Sequence, residues 1–461
     1  MSGHDTICAI STVQGNGAIA VLRLSGEKSF SIIDAIFKSI NSKKHLSEQA
    51  TQSLHFGTIY AGETLVDEVL VSVFKAPNSY TGEHLVEISC HGSLYIQKTI
   101  LRLLVKNGAR IANPGEFTQR AYMNGKLDLS QAEAVGDLIA SQSKGAHLLA
   151  MNQMRGGISN KLQELRAELL QFISLVELEL DFSEEDVEFA DRAKLETLIS
   201  KIHKIISNLI NSFDLGNAIK NGVPVAIVGE PNVGKSTLLN AILNEDKAIV
   251  SDIAGTTRDV IEDTFNLNGI MYRFIDTAGL RKTSDTIETL GIERTYQKIE
   301  QAKIVLALFN ATDSVEKIDL ALNDIFAKAG SDKRIILVFN KLDLATIKNT
   351  YSNDKLAGIV SISAKENNNI EQLIACIEEA YSLSSLDSSD IIVTNARHVE
   401  ALTLAKEALE RVLDGLNSGI TNDFLAMDIR ETIFHLAGIT GEEITTDEIL
   451  GNIFGQFCIG K

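Results

Sequence analysis

Apolar residues near the N-terminus follow a short period that predicts strands. The predicted strands are Ile7–Ile10, Ile19–Leu24, Leu65–Phe74 and Leu85–Cys90. The spacing changes in Leu94–Lys106, where it predicts a helix that ends at Asn107 and Gly108. Residues 1–120 are therefore expected to form an α+β domain.

Three later stretches carry apolar residues at steps of three and four, which predicts amphipathic helices. The first two are Leu162, Leu165, Leu169, Phe172 and Val176, and then Leu195, Leu198, Ile202, Ile205 and Leu209. The third follows a serine-rich linker, 382–389, and contains Leu402, Ala405, Leu409, Val412 and Leu416. One apolar stripe must be buried against another element, so the last helices are expected to pack against those before Gly222.

Between these helical stretches the pattern alternates strands with helices. The predicted strands are Val223–Val228, Met271–Ile275, Ile304–Phe309, Arg334–Phe339 and Gly358–Ile362. Such alternation is typical of a doubly wound sheet, with ligand loops at the carboxyl ends of the strands. We therefore expect a multidomain α/β plus α+β protein. Its four segments are 1–120, a helical domain at 121–221, an inserted α/β domain at 222–382, and the returning helical domain at 383–461.

The composition adds limits on location and partners. Among 461 residues, 44% are hydrophobic, and the four cysteines, Cys8, Cys90, Cys376 and Cys458, match no zinc spacing. They indicate a reducing compartment. No signal peptide or membrane-spanning run is recognised, so a soluble cytoplasmic protein is expected. A net charge of −18 argues against a protein that coats nucleic acid, although one basic patch remains compatible with RNA contacts.

An acidic segment between the first two helical stripes permits two interpretations. It contains Asp181, Glu184, Glu185, Asp186, Glu188 and Asp191. These carboxylates form either a metal site or a solvated acidic turn. Solvated acidic turns are the more common of the two.

The clearest chemical motif is the run from Gly229 to Ser236, Gly-Glu-Pro-Asn-Val-Gly-Lys-Ser. It follows an apolar strand and precedes a predicted helix, which is the context of a phosphate-binding loop. Glycines let backbone amides turn towards phosphate oxygens, and the helix N-terminus adds a positive dipole. Lys235 would reach the terminal phosphates and Ser236 would bind Mg²⁺. The alternative is a glycine turn in an ordinary α/β domain.

Four further segments follow in the order that a guanine nucleotide site requires. Thr257, in Gly255–Asp259, would close over Mg²⁺, and Asp276–Gly279 would support the metal and sense the γ-phosphate. Asp343 would accept hydrogen bonds from N1–H and the exocyclic amine of guanine, which adenine lacks, and Ser363–Lys365 would buttress the base. The expected GTP-binding residues are Asn232, Val233, Gly234, Lys235, Ser236, Thr237, Ser251, Asp252, Ile253, Ala254, Gly255, Thr256, Thr257, Asp276, Thr277, Ala278, Gly279, Asn340, Lys341, Leu342, Asp343, Ser363, Ala364 and Lys365.

The residue after Gly279 departs from Ras-like enzymes. Leu280 stands where they carry the glutamine that positions the attacking water. An apolar side chain cannot orient water, so hydrolysis requires another carboxylate or amide and another positive charge.

Taken together, these motifs make the chain resemble the MnmE (TrmE) family of bacterial tRNA uridine-modification GTPases. The matching segments span its length. They are Val21–Gly26, Asn78–Glu83, His91-Gly92, Pro114–Phe117, Lys126–Leu129, the nucleotide motifs and the final Phe457–Lys461. The resemblance implies an N-terminal folate-binding and dimerisation domain, followed by a helical domain into which the GTPase domain is inserted.

The family resemblance also implies how the nucleotide is cleaved. Asn232 matches a K⁺ ligand, and Ser251, Ile253 and Thr256 fall at the remaining K⁺ contacts. Mg²⁺ would be held by Ser236 and Thr257. Glu288 matches the catalytic glutamate that orients water. Without the resemblance, Asn232 is an ordinary loop residue and Glu288 an exposed surface glutamate.

The same resemblance implies a tetrahydrofolate site and its chemistry. Arg23, Glu87, Lys126 and Lys461 match the folate ligands, and Cys458 matches a cysteine near the one-carbon site, where a thiol assists the chemistry or is inert packing. The cofactor would be a 5-formyl- or methylene-tetrahydrofolate. A homodimer, joined with the FAD protein MnmG in a heterotetramer, would add an aminomethyl or carboxymethylaminomethyl group to carbon 5 of the tRNA wobble uridine, away from any membrane.

Two other functions share parts of this pattern. A ribosome-assembly GTPase has the same nucleotide motifs and a hydrophobic residue after the glycine, but it usually carries a basic RNA-binding domain. A folate enzyme whose GTPase only regulates it is the second. Cosedimentation with ribosomal subunits would favour the former, and wobble-uridine analysis separates the latter.

Overall fold

The computed structural model describes residues 5–40, 45–181, 192–246, 264–275, 299–330, 333–344, 351–380, 391–418, 420–442, 453–455, 457–458 and 460. For residues 177–181, 244–246 and 422 it describes the backbone alone. The chain forms two compact units. The first contains Met1–Ala140, Ala150–Ile210 and Ala396–Lys461, and the second contains Ser141–Leu149 and Asn211–Asn395.

The first unit contains a seven-stranded sheet in the order β3-β4-β5-β6-β2-β1-β7. Its strands are β1 (Ile7–Ile10), β2 (Ile19–Ser25), β3 (Phe37–Ser39), β4 (Ser53–Ala61), β5 (Thr64–Phe74), β6 (Leu85–His91) and β7 (Arg110–Ile111). Neighbouring strands are antiparallel except β1 and β7. The four predicted strands are confirmed, whereas β3, β4 and β7 were not predicted.

Two helices accompany this sheet, α1 (Ser29–Asp34) and α2 (Leu94–Lys106). The prediction of α2 is confirmed, because its Gln97, Ile100 and Leu104 are buried at helical spacing. Ile100 and Leu104 join Leu22 and Leu24 in one apolar cluster. The sheet therefore buries one face of β2 under α2.

Further helices of the first unit follow the sheet in the sequence, and two more form near the C-terminus. They are α3 (Glu116–Met123), α4 (Leu129–Ala140), α5 (Lys144–Met154, which spans both units), α6 (Gly157–Asp181), α7 (Arg192–Asn211), α12 (Ala396–Ser418) and α13 (Asn422–Thr440). Helix α13 packs against both α12 and α6, which confirms that the last helices pack on the earlier ones. Helical structure begins at Glu116, ahead of the predicted Ala121.

The residues of the three predicted apolar stripes are buried, except Leu198, Ile205 and Leu416, which are half-buried. All five predicted residues of α6 are buried, from Leu162 to Val176. In α7 the buried set is Leu195, Ile199, Ile202, Ile206 and Leu209. The prediction that Leu198 and Ile205 belong to this stripe was wrong, since their neighbours Ile199 and Ile206 turn inward and leave them half-buried.

The second unit contains a six-stranded sheet in the order β13-β12-β11-β8-β10-β9. The strands are β8 (Val223–Gly229), β9 (Thr264–Leu267), β10 (Ile270–Phe274), β11 (Ile304–Asn310), β12 (Arg334–Asn340) and β13 (Gly358–Ser361), with helices α8 (Phe213–Asn221), α9 (Lys235–Asp246), α10 (Val315–Ala329) and α11 (Ile370–Ala380). All pairs are parallel except β9 and β10. The sheet is doubly wound, as predicted, and lies between two segments of the first unit in the sequence.

Candidate functional site

The loop between β8 and α9 has the backbone that a phosphate-binding loop needs. Asn232 and Gly234 both have positive φ, at 62° and 101°. A Cβ at Gly234 would collide with the Asn340 side-chain amide, so only glycine fits there. Val233 is buried in the core and anchors the loop from below. Lys235 begins α9, which places its amide at a helix N-terminus.

The Lys235 side chain crosses the mouth of this loop. Its Nζ donates to the carbonyl oxygens of Gly229 and Glu230, each at 2.7 Å. An ammonium group is thereby held beside the amides that would face phosphate oxygens. The strand–loop–helix context predicted for Gly229–Ser236 is confirmed.

Asn340 connects the phosphate-binding loop to the predicted base-binding segments. It is buried at the end of β12, and its Nδ2 donates to the Val233 carbonyl at 2.8 Å. Its Oδ1 accepts from the Ala364 amide at 3.0 Å. Lys341 Nζ also donates to the Asn232 carbonyl at 2.7 Å. One buried amide thus holds together three segments that lie far apart in the sequence.

Asp343 is exposed at this edge and shares a hydrogen bond with Ser363. The Ser363 hydroxyl donates to Asp343 Oδ1 at 2.7 Å, which leaves the second carboxylate oxygen for a ligand. The Leu342 amide donates to the Ile362 carbonyl at 3.2 Å and fixes the two loops together. A carboxylate has the acceptors that the N–H edge of guanine requires.

Several predicted nucleotide and metal residues lie outside the described part of the chain. They are Ser251, Asp252, Ile253, Ala254, Gly255, Thr256, Thr257, Asp276, Thr277, Ala278, Gly279 and Glu288. Ser236 and Thr237 lie in the first turn of α9, and Lys365 is exposed after β13. A serine hydroxyl and an amide oxygen are suitable ligands for hard cations such as Mg²⁺ and K⁺. The acidic segment 182–191 also lies outside the described residues.

A second group of predicted residues meets in the first unit. Arg23 on β2 and Glu87 on β6 are cross-strand partners, with Nη2 and Nε of Arg23 at 2.7 and 3.0 Å from Oε1 of Glu87. The guanidinium also lies over the rings of Tyr80 and Phe117, at 5.3 and 5.7 Å from their centroids. Lys126 is exposed in the turn between α3 and α4. This arrangement presents one cation, one carboxylate and aromatic surface together.

A buried ionic network beside this pair was not predicted. Arg120, with 12% of its side chain exposed, is bonded to Asp5, Glu83 and Glu116. Burial raises the pKa of Glu116, but hydrogen bonds from Arg110, the Asn113 amide and Arg120 hold it below its usual value. Glu83 and Glu116 lie in two of the segments that match the family, Asn78–Glu83 and Pro114–Phe117, so the sequence pointed to both residues. Sequence spacing could not show that both pair with Arg120.

The C-terminal residues dock against the same part of the first unit. Phe454 is buried with Leu129 and Ala132. The Gly115 amide donates to the Cys458 carbonyl at 3.4 Å, and the Ser11 hydroxyl donates to the Gly460 carbonyl at 3.1 Å. Cys458 is exposed, and Lys461 lies outside the described residues.

The other cysteines are less suited to chemistry. Cys8 and Cys90 are buried, and burial raises the pKa of each thiol to about 11. Burial also raises the pKa of Cys376. Within the described ranges, no cluster of three or more metal-ligating side chains is found, and no helix has the length and apolar character to cross a membrane.

A family model described as the MnmE helical domain matches residues 129–458, and one described as the GTP-binding protein TrmE N-terminus matches residues 6–126. The tRNA modification GTPase MnmE of Bacteroides fragilis (strain YCH46) is 56% identical over 466 residues, covering 99% of this chain and 100% of that protein. The protein of the same name from Parabacteroides distasonis is 55% identical, with the same two coverages.

Among solved structures, the G-domain of FeoB from Methanococcus jannaschii is 27% identical and covers 34% of this chain and 97% of that domain, with a TM-score of 0.24.

Proposed function

The chain belongs to the MnmE/TrmE family of tRNA modification GTPases, and we propose that its GTP hydrolysis drives modification of tRNA at the wobble uridine. The observation that carries the nucleotide assignment is the junction at Asn340, which ties the phosphate-binding loop to the Asp343–Ser363 pair. GTP hydrolysis follows from membership of this family of tRNA modification GTPases.

Mg²⁺ would be held by the hydroxyls of Ser236 and Thr257, and it supplies charge neutralisation for the transferred phosphoryl group. Asp276 would support the metal, and the Gly279 amide would sense the γ-phosphate. Within the described loop, Lys235 contributes a second cation and the backbone amides contribute donors.

K⁺ would replace the arginine of other GTPases, held by Asn232, Ser251, Ile253 and Thr256. The left-handed backbone of Asn232 supports this proposal, because it lets the loop turn at that residue. Turnover in K⁺ should exceed turnover in Na⁺ at equal ionic strength. Equal rates in the two salts would remove Asn232 from this role.

Glu288 would orient the attacking water, because Leu280 has no polar group for that task. A Glu288→Ala variant should hydrolyse GTP on the order of a hundredfold or more slowly, since a positioned base contributes about that much. Normal turnover by this variant would dismiss the assignment.

The one-carbon chemistry belongs to the first unit. A 5-formyl- or methylene-tetrahydrofolate would be bound by Arg23, Glu87, Lys126 and Lys461, with Cys458 near the reacting carbon. The docking of the C-terminal residues near Ser11 and Gly115 supports this proposal, because it brings Cys458 to the unit that carries Arg23 and Glu87. The FAD protein MnmG would share the reaction in a heterotetramer, with aminomethyl or carboxymethylaminomethyl uridine as product.

The chain would act in the cytoplasm, where its tRNA substrate is found, and it would form a homodimer there. The homodimer is supported by one face of the sheet in the first unit, where Leu54, Phe56 and Leu70 are 61%, 43% and 41% exposed. Phe56 and Leu70 are cross-strand neighbours, so these side chains form a continuous apolar patch.

Nucleoside analysis of tRNA from a strain lacking the protein tests the proposal as a whole. The wobble uridine should lose its carbon-5 substituent, and expression of the intact chain should restore it. A fully modified wobble position in the deletion strain would refute the function.

A further inference from the structure

The outer side of α2 carries a row of cations. Lys98, Arg102 and Lys106 are exposed and lie four residues apart, so they fall on one side of the helix. The opposite side of α2 is buried through Ile100 and Leu104. The row is therefore a fixed feature of the surface, held by the packing of the helix on the sheet.

No acidic residue accompanies this row in the sequence. Between Glu87 and Glu116 the chain contains no Asp or Glu, although acidic residues outnumber basic ones by 61 to 43 overall. Within the described residues, none of the three cations takes part in an ion pair, whereas Arg23, Lys201 and Arg411 each have a carboxylate partner. In a chain of net charge −18, these side chains form a local positive surface.

The dimensions of the row suit a polyanion. A helix rises about 1.5 Å per residue, so the cations lie roughly 6 Å apart and span roughly 12 Å. One strand of a duplex presents a phosphate about every 3.4 Å along its axis, so the row meets about three phosphates. Lysine and arginine both bind phosphate, and arginine adds a bidentate geometry.

Tyr95 extends this surface by an aromatic ring. It lies at the start of α2, on the same side as the cations, and is 74% exposed. The loop between β1 and β2 is attached to α2, because Gln97 Nε2 donates to the Gly15 carbonyl at 3.1 Å. An exposed ring beside a row of cations is typical of surfaces that bind RNA, where an unpaired base stacks on the ring.

The row is separate from the pair formed by Arg23 and Glu87. Leu22 and Leu24 face α2 within the apolar cluster, and Arg23, between them on β2, points to the other face of the sheet. The cations of α2 therefore cannot serve the same ligand as Arg23. They are available to a larger partner that extends around the sheet.

We infer that the outer side of α2 binds the phosphate backbone of tRNA through Lys98, Arg102 and Lys106, with Tyr95 stacking against an unpaired base. This inference rests on the proposed function, which supplies tRNA as the polyanion. It adds the location of the tRNA contact, which neither the sequence motifs nor the comparisons give.

The test replaces all three cations, as Lys98→Gln/Arg102→Gln/Lys106→Gln, in the full-length chain. Affinity for purified tRNA is measured at several salt concentrations. Each phosphate contact contributes about 0.7–0.9 to the slope of log affinity against log salt, so the slope should fall by roughly 2 to 3. At about 0.1 M salt this corresponds to a loss on the order of a hundredfold.

A matched control removes the same charge elsewhere in the first unit. Lys201→Gln/Lys204→Gln/Lys406→Gln changes cations on α7 and α12, and it should leave both affinity and slope unchanged. Both triple variants should retain GTP turnover without tRNA, which shows that they fold. Tyr95→Leu should weaken binding by about 5- to 100-fold, as the loss of one stacked base does, without changing the slope.

The outcomes separate the two proposals. If the intact chain binds tRNA and supports wobble modification, but the α2 variant binds with unchanged affinity and slope, the inference about α2 is wrong and the proposed function stands. If both triple variants lose affinity equally, the effect is one of net charge, and the inference is also wrong. If the α2 variant keeps tRNA affinity but loses an acidic protein partner, the surface has been assigned to the wrong class of molecule.

Discussion

The carboxylate of Asp343 accepts a hydrogen bond from the Ser363 hydroxyl, which positions it. The sequence predicted both residues, because each lies in a short motif directly after a strand. It could not show the buried bridge through Asn340, since the Val233 carbonyl has no signature of its own. The proximity of Asp343 and Ser363 was therefore predictable, but their attachment to the loop at Gly229–Ser236 was not.

The substitution Asp343→Asn should change the base that the site accepts. The side-chain amide of this variant would place N–H groups against those of guanine, whereas xanthine presents a carbonyl oxygen there. GTP affinity should fall by on the order of a hundredfold, and xanthosine triphosphate should bind more tightly to the variant than to the parent chain.

Competition between the two nucleotides in a fluorescence titration measures this exchange. Asp354→Asn, at an exposed position in the same unit, is the control and should change neither affinity. Unchanged preference for GTP in the Asp343 variant would show that another group reads the base.

Glu133 illustrates a residue whose role no spacing could predict. It is buried on α4 and accepts hydrogen bonds from Arg397 Nε at 2.8 Å and from His398 Nε2 at 2.8 Å, more than 260 positions along the chain. Burial raises the pKa of Glu133, but the bonds from His398 and Arg397 outweigh it and hold the pKa below its usual value. The charged form is thus the one the fold stabilises.

The stability from Glu133 should depend on pH in a defined direction. Because its pKa is lowered in the folded chain, its contribution is complete above the unfolded value of about 4.3 and is lost as pH falls through the folded pKa. At pH 7, Glu133→Gln should lower the free energy of unfolding by about 3 kcal/mol, because Arg397 and His398 lose the carboxylate that accepts their hydrogen bonds.

Urea unfolding of both chains between pH 3 and pH 7 measures this dependence. The difference between parent and variant should shrink towards the acid end. Glu407→Gln on the exposed side of α12 should match the parent throughout, and a Glu133 difference that stays constant with pH would contradict the assignment.

Whole elements were predicted more reliably than their boundaries or partners. The five strands predicted in the second unit lie within one residue of the observed ones. The signal is strongest in β8, β11 and β12, which are apolar runs buried in the middle of the sheet. Strand β9 was missed, since Thr264–Leu267 is short and partly polar. Its signal was the following Asn268-Gly269, whose positive φ values form a tight hairpin turn into β10.

The C-terminal segment is held on α3 and α4 largely by two aromatic rings. Phe454 is buried, and the Phe457 ring lies so close to Gly136 that a Cβ there would be 3.0 Å from it. A larger residue at Gly136 would displace the ring. This close packing depends on tertiary structure, so the sequence predicted the C-terminal motif without its attachment.

Truncation of Phe457 to Ala should release the segment that carries Cys458. Affinity for a tetrahydrofolate derivative should fall by about tenfold or more, because the loss of a packed aromatic ring destabilises docking by more than about 1 kcal/mol. Isothermal titration of 5-formyl-tetrahydrofolate measures the change, and GTP turnover should be retained. Phe434→Ala, at a ring that is 54% exposed on α13, should leave folate affinity intact. Equal affinities for all three chains would separate the segment from folate binding.

At the scale of the molecule, the insertion of the α/β unit was predictable from the return of helical spacing after residue 382. The sequence did not predict that the N-terminal sheet and the helices belong to one compact unit, the first unit. Helical and strand periods reveal elements and the faces they must bury, but they do not specify that the sheet and the helices of the first unit pack together as one unit.

The apolar patch on the sheet should hold two copies of the chain together. Phe56→Asp places a charge at its centre, beside Leu70, and burying that charge without a partner is costly. Sedimentation equilibrium should show a shift from dimer towards monomer. Leu320→Asp, at a position 72% exposed on α10, should remain dimeric. A dimer that survives the Phe56 variant would place the interface elsewhere.

Titration of the purified chain with GTP and with ATP, in Mg²⁺ and K⁺, tests whether the loop at Gly229–Ser236 and the Asp343–Ser363 pair together hold a guanine nucleotide. We expect saturable GTP binding, with ATP bound on the order of a hundredfold or more weakly, because adenine cannot donate to the carboxylate. Equal binding of the two nucleotides, or no retention of GTP, would contradict this expectation.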